Sequence, residues 1–384
     1  MLSFSSRIGS QVDWALFGAT GLLLCCGLVV LYSAGYDPES SASLFGLASV
    51  EFSSPACLRQ AVHIGAGLLV MLIGMSIPTQ IFFHYSFVLY ALAAAMLVCV
   101  AGFGVVVNGS RRWLDLGALS IQPAELMKIA LIMAVARRLS RSPPRDGKGY
   151  GLGELVVPLL LIAVPMALIM QQPDLGTALS LGFVGVAQLL FVGIRPRALL
   201  TIVLALGVLA YPAWHMLHEY QQRRIIVLLN PESDPQGSGY HITQSKIAVG
   251  SGELFGKGFR GGTQSQLEFL PEHTTDFAFS VLAEEWGFLG SVSVLVLFLA
   301  LVSSMLRVAG RARDLFSCLL AFGITAQFFA HTVINVGMVI GLMPVVGIPL
   351  PLISYGGSAM LSLLFGLGVV QGVSIRRLMF RERA

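Results

Sequence analysis

The chain has 384 residues, of which 11% are charged and 55% apolar, against about 25% and about 45–50% in an ordinary soluble domain. With a mean hydropathy of +0.80, that excludes a soluble globular enzyme, a disordered chain and a nucleic-acid-binding module. The net charge is only +4, so the information lies in where the charges sit.

Taken in chain order, the apolar runs predict spans at about 12–34, 60–77, 82–104, 124–140, 152–172, 175–194, 198–217, 276–306, 315–341 and 358–375. A spanning helix satisfies its own backbone polar groups. The expected fold class is therefore all-α: a polytopic membrane protein of about ten transmembrane helices. It is read as a single domain over 1–384, with a large extracytoplasmic loop, 218–275, before helix eight. The first span is too long for a signal peptide and lacks a small-residue cleavage site, so it is expected to be retained. The five cysteines show no CxxC spacing, which argues against a zinc site and a disulfide framework.

Orientation follows from the basic residues of the short loops. Arg7, the stretch from Arg137 to Lys148, Arg195, Arg197, Arg307, Arg311, Arg313 and the tail from Arg376 make fifteen on the side of both termini. Eight lie opposite: Arg59, Arg111, Arg112, Arg223, Arg224, Lys246, Lys257 and Arg260. Both termini are thus expected in the cytoplasm.

The outer side carries the unusual sequence. Residues 36–59 and 105–123 read as loops, and 218–275 exceeds the about 12–15 residues beyond which loops are functional or disordered. It contains YHITQSKIAVGSGELFG, patterned for a short amphipathic helix, and the whole reads as a structured lid. A later segment, MPVVGIPLPLISYGGSAM, has too many prolines and glycines for a regular span. Non-helical backbone at membrane depth survives when buried in protein or lining a cavity, so this segment is expected to do one or the other, with an ordinary outer loop between spans nine and ten as the competing reading.

Charges at membrane depth are costly and mark function or pairing. Glu125 and Lys128, three apart, share a helix face and can pair. Asp174 stands at a break between spans, where capping the next helix is the competing reading. Of Glu284 and Glu285, one is expected to face the bundle interior. His331 and Asn335, four apart, read as polar glue between helices. Asp276 stands where the long loop re-enters the membrane. There it can accept a proton from a hydroxyl, or simply cap the helix, whose N-terminus should help keep it ionised. With Lys246 a further substrate-binding candidate on the same side, the double-arginine pairs Arg111–Arg112 and Arg223–Arg224 run against the topological trend. They point either to an anionic ligand, since Arg grips phosphate bidentately, or to salt bridges with Glu219 or Glu232.

The segment GSGYHITQSKIAVGSGELFGKGFRGGTQSQLEFLPEHTTDFAFSVLAEEWG resembles the SEDS family (shape, elongation, division and sporulation). Its QSQLEFLPE form is RodA-like, of the elongation type, rather than of the division type. RRWLDLGALSIQPAELMKIA, QQPDLGTAL and MPVVGIPLPLISYGGSAML match further family motifs, so the resemblance covers essentially the whole chain. It implies a peptidoglycan glycosyltransferase that polymerises lipid II at the outer face of the bacterial cytoplasmic membrane during elongation. The implied partners are a class B penicillin-binding protein that crosslinks the strands and other elongation-complex membrane proteins. Asp276 matches the essential aspartate of the family motif LPE-x-H-T-D-F, while Thr274 stands where the family has His. Arg112, Glu125, Lys128 and Asp174 match other polar positions of the pattern.

On this reading Asp276 deprotonates the acceptor hydroxyl, and an outer arginine steadies the departing undecaprenyl pyrophosphate. No cofactor is fixed by the sequence; a divalent cation is one way to share the pyrophosphate charge. A lipid II flippase is the alternative, because the same cavity and broken segment suit a transporter. A pure scaffold for the partner is a third reading.

Overall fold

The computed structural model describes residues 12–36, 54–107, 110–115, 120–144, 149–217, 219–234, 237–266, 269–270 and 272–376. Arg7, Arg145, Lys148, most of the 36–59 loop, Pro271 and the arginines beyond Arg376 lie outside them.

Long helices follow the predicted spans: α1 (Trp14–Ala34), α2 (Pro55–Ser76), α3 (Thr79–Phe103), α4 (Pro123–Arg141), α5 (Leu152–Gln171), α6 (Leu175–Phe191) and α7 (Pro196–Met216). The 218–275 loop carries α8 (Glu219–Leu229), α9 (Ser238–Ser251) and the short α10 (Thr263–Gln266). Then come α11 (Ala278–Gly310), α12 (Leu315–Val339) and α13 (Gly357–Arg376). Among the described residues, seven helices are long and apolar enough to cross a membrane; α6 and α7 are apolar over shorter stretches. Side-chain caps mark several starts: Asp13, Ser54, Asp174 and Asp314 each accept from a backbone N–H of the first turn.

The helices divide by what they face. In the most apolar windows of α12 and α13, 72% of residues are buried, against 22% in α3. So α12 and α13 form the interior. The first packs on α11, α6 and α4, the second along α2, while α2, α3, α5 and α11 turn apolar side chains outward, as lipid-facing helices must.

Three features depart from a plain helical bundle. The first is a small antiparallel sheet, β1 (Val105–Val107), β2 (Ser110–Asp115) and β3 (Ser120–Ile121), in a segment read from sequence as loop. Its register pairs Val107 with Ser110 and Leu114 with Ile121. The sheet fixes Arg112 beside the α5–α6 turn.

The second is the broken segment between α12 and α13, which is non-helical as expected. Val346, Ile348, Leu350, Leu352 and Ile353 are buried, and side chains satisfy its backbone. Asn335 Nδ2 donates to Ile348 O (2.8 Å), and Gln60 Nε2 to Ser354 O (3.1 Å).

The third is a break in α11 at Gly287, whose φ of 64° is open to glycine but costly for other residues. In an unbroken helix Phe288 N and Leu289 N would bond to the carbonyls of Glu284 and Glu285. Here they bond to Glu253 O (2.8 Å) and Leu254 O (3.1 Å). The freed carbonyls accept from Lys257 N and Gly258 N, both at 3.0 Å. The outer loop is thus spliced into the helix. Glu284 and Glu285 are consequently both buried, where the sequence reading placed only one inside.

Candidate active site

Asp276 sits on a tight turn ahead of α11. Glu272 adopts φ 55°, and its carbonyl accepts from the backbone N–H groups of Thr275 (3.2 Å), Asp276 (3.1 Å) and Phe277 (3.3 Å). Phe277 occupies the N-cap without a side-chain bond, so Asp276 does not cap the helix. Asn335 Nδ2 donates to Asp276 O (2.8 Å) as well as to Ile348 O, pinning the turn to the broken segment. Tyr355 N donates to Thr274 O (2.9 Å), a second tie between the two. Thr274 thus takes part in the site through its backbone carbonyl.

The Asp276 side chain is half-buried, and among the described residues it accepts no hydrogen bond and forms no ion pair. Burial pushes its pKa up to about 6, and the charge of Glu272 adds to the rise. Arg224 pulls the other way, Asp174 raises it again, and Arg112 lowers it. The helix-start argument from sequence favoured an ordinary ionised carboxylate. Desolvation outweighs it.

Arg112 extends from β2 to the α5–α6 turn. Its Nε donates to Gln172 O (3.3 Å), Nη2 donates to Pro173 O, and Nη1 lies 3.6 Å from Asp174 Oδ2. Asp174 also caps α6, its Oδ1 accepting from Thr177 N (3.1 Å). The capping reading thus holds, and the same carboxylate faces the site. Arg224 reaches in from α8 over the ring of Tyr220. Burial, and then the nearby Arg112, pull its pKa down. Two cations that oppose one another are a poor arrangement unless an anion joins them.

The other predicted residues lie elsewhere. Arg223 is 64% exposed and pairs with Asp234 at 3.0 Å, a loop salt bridge made with neither Glu219 nor Glu232. Lys246 on α9 packs its side chain across Gly341 at the outer end of α12. Glu125 and Lys128 form a buried pair at 2.7 Å, with His331 Nε2 3.5 Å from the Lys128 nitrogen. The structure therefore couples Asp276 with Arg224, Asp174 and Arg112, and Lys128 meets His331 one turn of α12 before Asn335, which holds Asp276 O. Sequence reasoning missed Tyr220, legible only as an aromatic four residues before Arg224 on one helix face. It also missed the effect of Glu272. Among the described residues, no group of three or more His, Cys, Asp or Glu is placed to hold a metal ion.

The family described as "Cell cycle protein", which groups FtsW, RodA and SpoVE, matches residues 13–378. The chain belongs to this family. The SEDS match spans every element of the site. Curated relatives include "Peptidoglycan glycosyltransferase MrdB" of Escherichia coli (strain K12), 42% identical over 326 residues, covering 84% of this chain and 87% of that protein. The MrdB of Helicobacter pylori (strain ATCC 700392 / 26695) is 36% identical over 333 residues, 86% of each chain. A chain from "Structural coordination of polymerization and crosslinking by a peptidoglycan synthase complex" superposes with a TM-score of 0.78 at 30% identity, covering 96% of this chain and 99% of that one. Thermus thermophilus RodA, a rod-shape-determining protein, gives 0.69 at 29%, covering 96% and 98%. With its apolar helices, this SEDS chain is a multi-pass membrane protein.

One glycine of the broken segment borders the SEDS site. Gly347 has φ 71°, and a Cβ added there would stand 3.5 Å from Asp276 Oδ2. Gly347→Ala should cost about 1–2 kcal/mol from the left-handed backbone alone, read as a lower Tm of the purified protein. The added methyl would lie in ordinary contact with the carboxylate, so the main effect expected is on stability.

Proposed function

We infer that the chain is a peptidoglycan glycosyltransferase that polymerises lipid II into β-1,4-linked glycan, with Asp276 as general base. The observation that carries this reading is a half-buried carboxylate, free of hydrogen bonds among the described residues, faced by Arg224 and Arg112. The names of the curated relatives support the same reaction class.

The acceptor GlcNAc 4-hydroxyl gives its proton to Asp276 as its oxygen attacks the donor anomeric carbon. The bond to the pyrophosphate oxygen breaks, and the configuration inverts. A single base and no covalent intermediate suffice, as in inverting glycosidases. The leaving pyrophosphate is already a good anion and needs positive charge more than a proton. Arg224 and Arg112 supply that charge. A carboxylate with a pKa near 6 suits proton abstraction, because it is mostly ionised near neutrality yet more basic than an ordinary aspartate.

An apolar cavity of about 430 Å³ runs between α3, α4 and α13, lined by Phe82, Leu92, Met96, Leu126 and Phe365, with Glu125 at its polar edge. It suits a polyprenyl tail entering from the bilayer. We place both termini in the cytoplasm and the 218–275 loop outside as a lid over one transmembrane unit. Crosslinking belongs to a class B penicillin-binding protein, in line with the synthase complex that contains a similar chain. Other elongation-complex membrane proteins would join this assembly.

The broken segment beside Asp276 keeps the flippase alternative in view, since discontinuous helices line transporter sites. Purified chain with its partner, given lipid II, should yield glycan strands on a gel. Translocation of lipid II in proteoliposomes without any polymer would contradict the enzyme reading and favour transport.

A further inference from the structure

Glu284 lies in α11 two turns beyond Asp276 and plays no part in the chemistry above. It is fully buried, and its carboxylate is crowded with donors. Oε1 accepts from Lys257 Nζ (2.6 Å), Thr263 N (2.8 Å), Thr263 Oγ1 (3.1 Å) and Gln264 N (3.1 Å). Gln264 N also reaches Oε2 at 3.3 Å, and Lys257 Nζ donates to Thr263 Oγ1 (2.9 Å). One side chain of a spanning helix thus gathers both ends of the 257–264 stretch of the outer loop.

The stretch it holds leads to the reactive turn. Leu270 N donates to Gln264 O (3.3 Å). Leu270 is itself buried, and its carbonyl meets His273 Nδ1 at 2.9 Å. His273 is next to Glu272, whose carbonyl organises the turn carrying Asp276. The Gly287 splice brings the same loop down to Glu284, so the carboxylate and the exchanged backbone bonds act on one piece of chain.

We propose that Glu284 is a positioning residue that latches the 257–264 stretch onto α11 and so sets the placement and water exclusion of Asp276. The proposal rests on the general-base reading for its kinetic consequences, but the latch itself is a structural claim. Glu284 touches no reacting atom. Its charge is matched by Lys257, and the backbone N–H groups of Thr263 and Gln264 add donors, chiefly to Oε1. With the latch open, the Gln264–Leu270–His273 contacts lose their anchor on α11 and water reaches the carboxylate.

The test uses full-length protein with its transpeptidase partner, as wild type, Glu284→Ala and Lys257→Met. In Glu284→Ala, kcat on lipid II should fall about 100-fold, the scale of a misplaced catalytic group, with KM little changed. The acidic limb of the pH–rate profile should move down by about one unit, because rehydration relieves the desolvation of Asp276. The groups facing Asp276 that could otherwise move that limb are Glu272, Asp174, Arg112 and Arg224, with His241 packed over Phe277; none is altered. Lys257→Met, which leaves three donors in place, should show the same changes at smaller size and serves if Glu284→Ala does not fold. Hydrogen exchange at the Thr263 and Gln264 amides should accelerate in both variants. Unchanged exchange there, or a kcat loss with the acidic limb unmoved, would overturn the proposal. Should Asp276→Asn prove active, the general-base reading fails, and the exchange measurement alone decides the latch.

Discussion

Asp276→Asn is expected to fold, to keep its partner and to polymerise lipid II about 10²–10⁴-fold more slowly than wild type, the usual worth of a general base. Asn matches Asp in shape but cannot take the proton of the attacking hydroxyl. Folding should be spared for a specific reason. The carboxylate accepts no hydrogen bond from the described residues, and the turn is held by backbone and by Asn335 Nδ2 on Asp276 O. The substitution even removes a desolvated charge. Asp276→Glu is a sharper control: it keeps the base but adds a methylene beside Gly347, in a space where a Cβ would already be 3.5 Å from Oδ2. Its rate should fall between the two. Product formed per mole of enzyme, with Tm recorded alongside, separates loss of chemistry from loss of fold.

Lys128→Met is expected to be the most damaging substitution for stability, at about 3–5 kcal/mol, because it strands a buried carboxylate. The Lys128 side chain is 3% exposed and that of Glu125 8%, and Glu125 Oε2 has no hydrogen-bond partner. Removing the cation leaves Glu125 charged in an apolar interior. The double variant Glu125→Gln/Lys128→Met should recover most of the loss, since replacing both partners of a buried pair is often close to neutral. Resistance to denaturation in detergent, compared across the two single variants and the double, gives the coupling. Activity of the double variant then addresses a separate point. If it is stable and active, the pair is structural; if stable and inactive, Glu125 and Lys128 also serve the substrate.

The spans were legible because about twenty apolar residues in a row have few alternatives. The range of α4 was legible as well, but with Glu125, Lys128 and three arginines it is not among the seven helices long and apolar enough to cross a membrane. The broken segment was legible too, since Pro344, Pro349 and Pro351 forbid a helix. The sheet was not. Only Asn108 and Gly109 separate Val105–Val107 from Ser110–Asp115 in the sequence, a strong hairpin signal that a hydropathy reading passes over. The break at Gly287 could not be read, because it depends on the backbone of residues 253–258 arriving from another part of the chain. The same holds for the site. Sequence placed Asp276, Arg112, Arg223 and Arg224 on one side of the membrane. It could not tell that Arg224 turns toward the carboxylate while its neighbour turns to Asp234, a choice made by the faces of α8. The sign of the Asp276 shift was legible in part: the helix start argues for an ordinary ionised carboxylate and water exclusion by the long loop for a more basic one, and tertiary packing sets which of the two wins.

The pH dependence of kcat/KM for lipid II polymerisation tests the role of Asp276 most directly. Its reactive form is the carboxylate, so the rate should fall about tenfold per unit below a pKa of about 6 and be flat above it. A profile flat from about pH 5 to about pH 8, or one whose acidic limb persists unchanged in Asp276→Asn, would contradict a general base at this position.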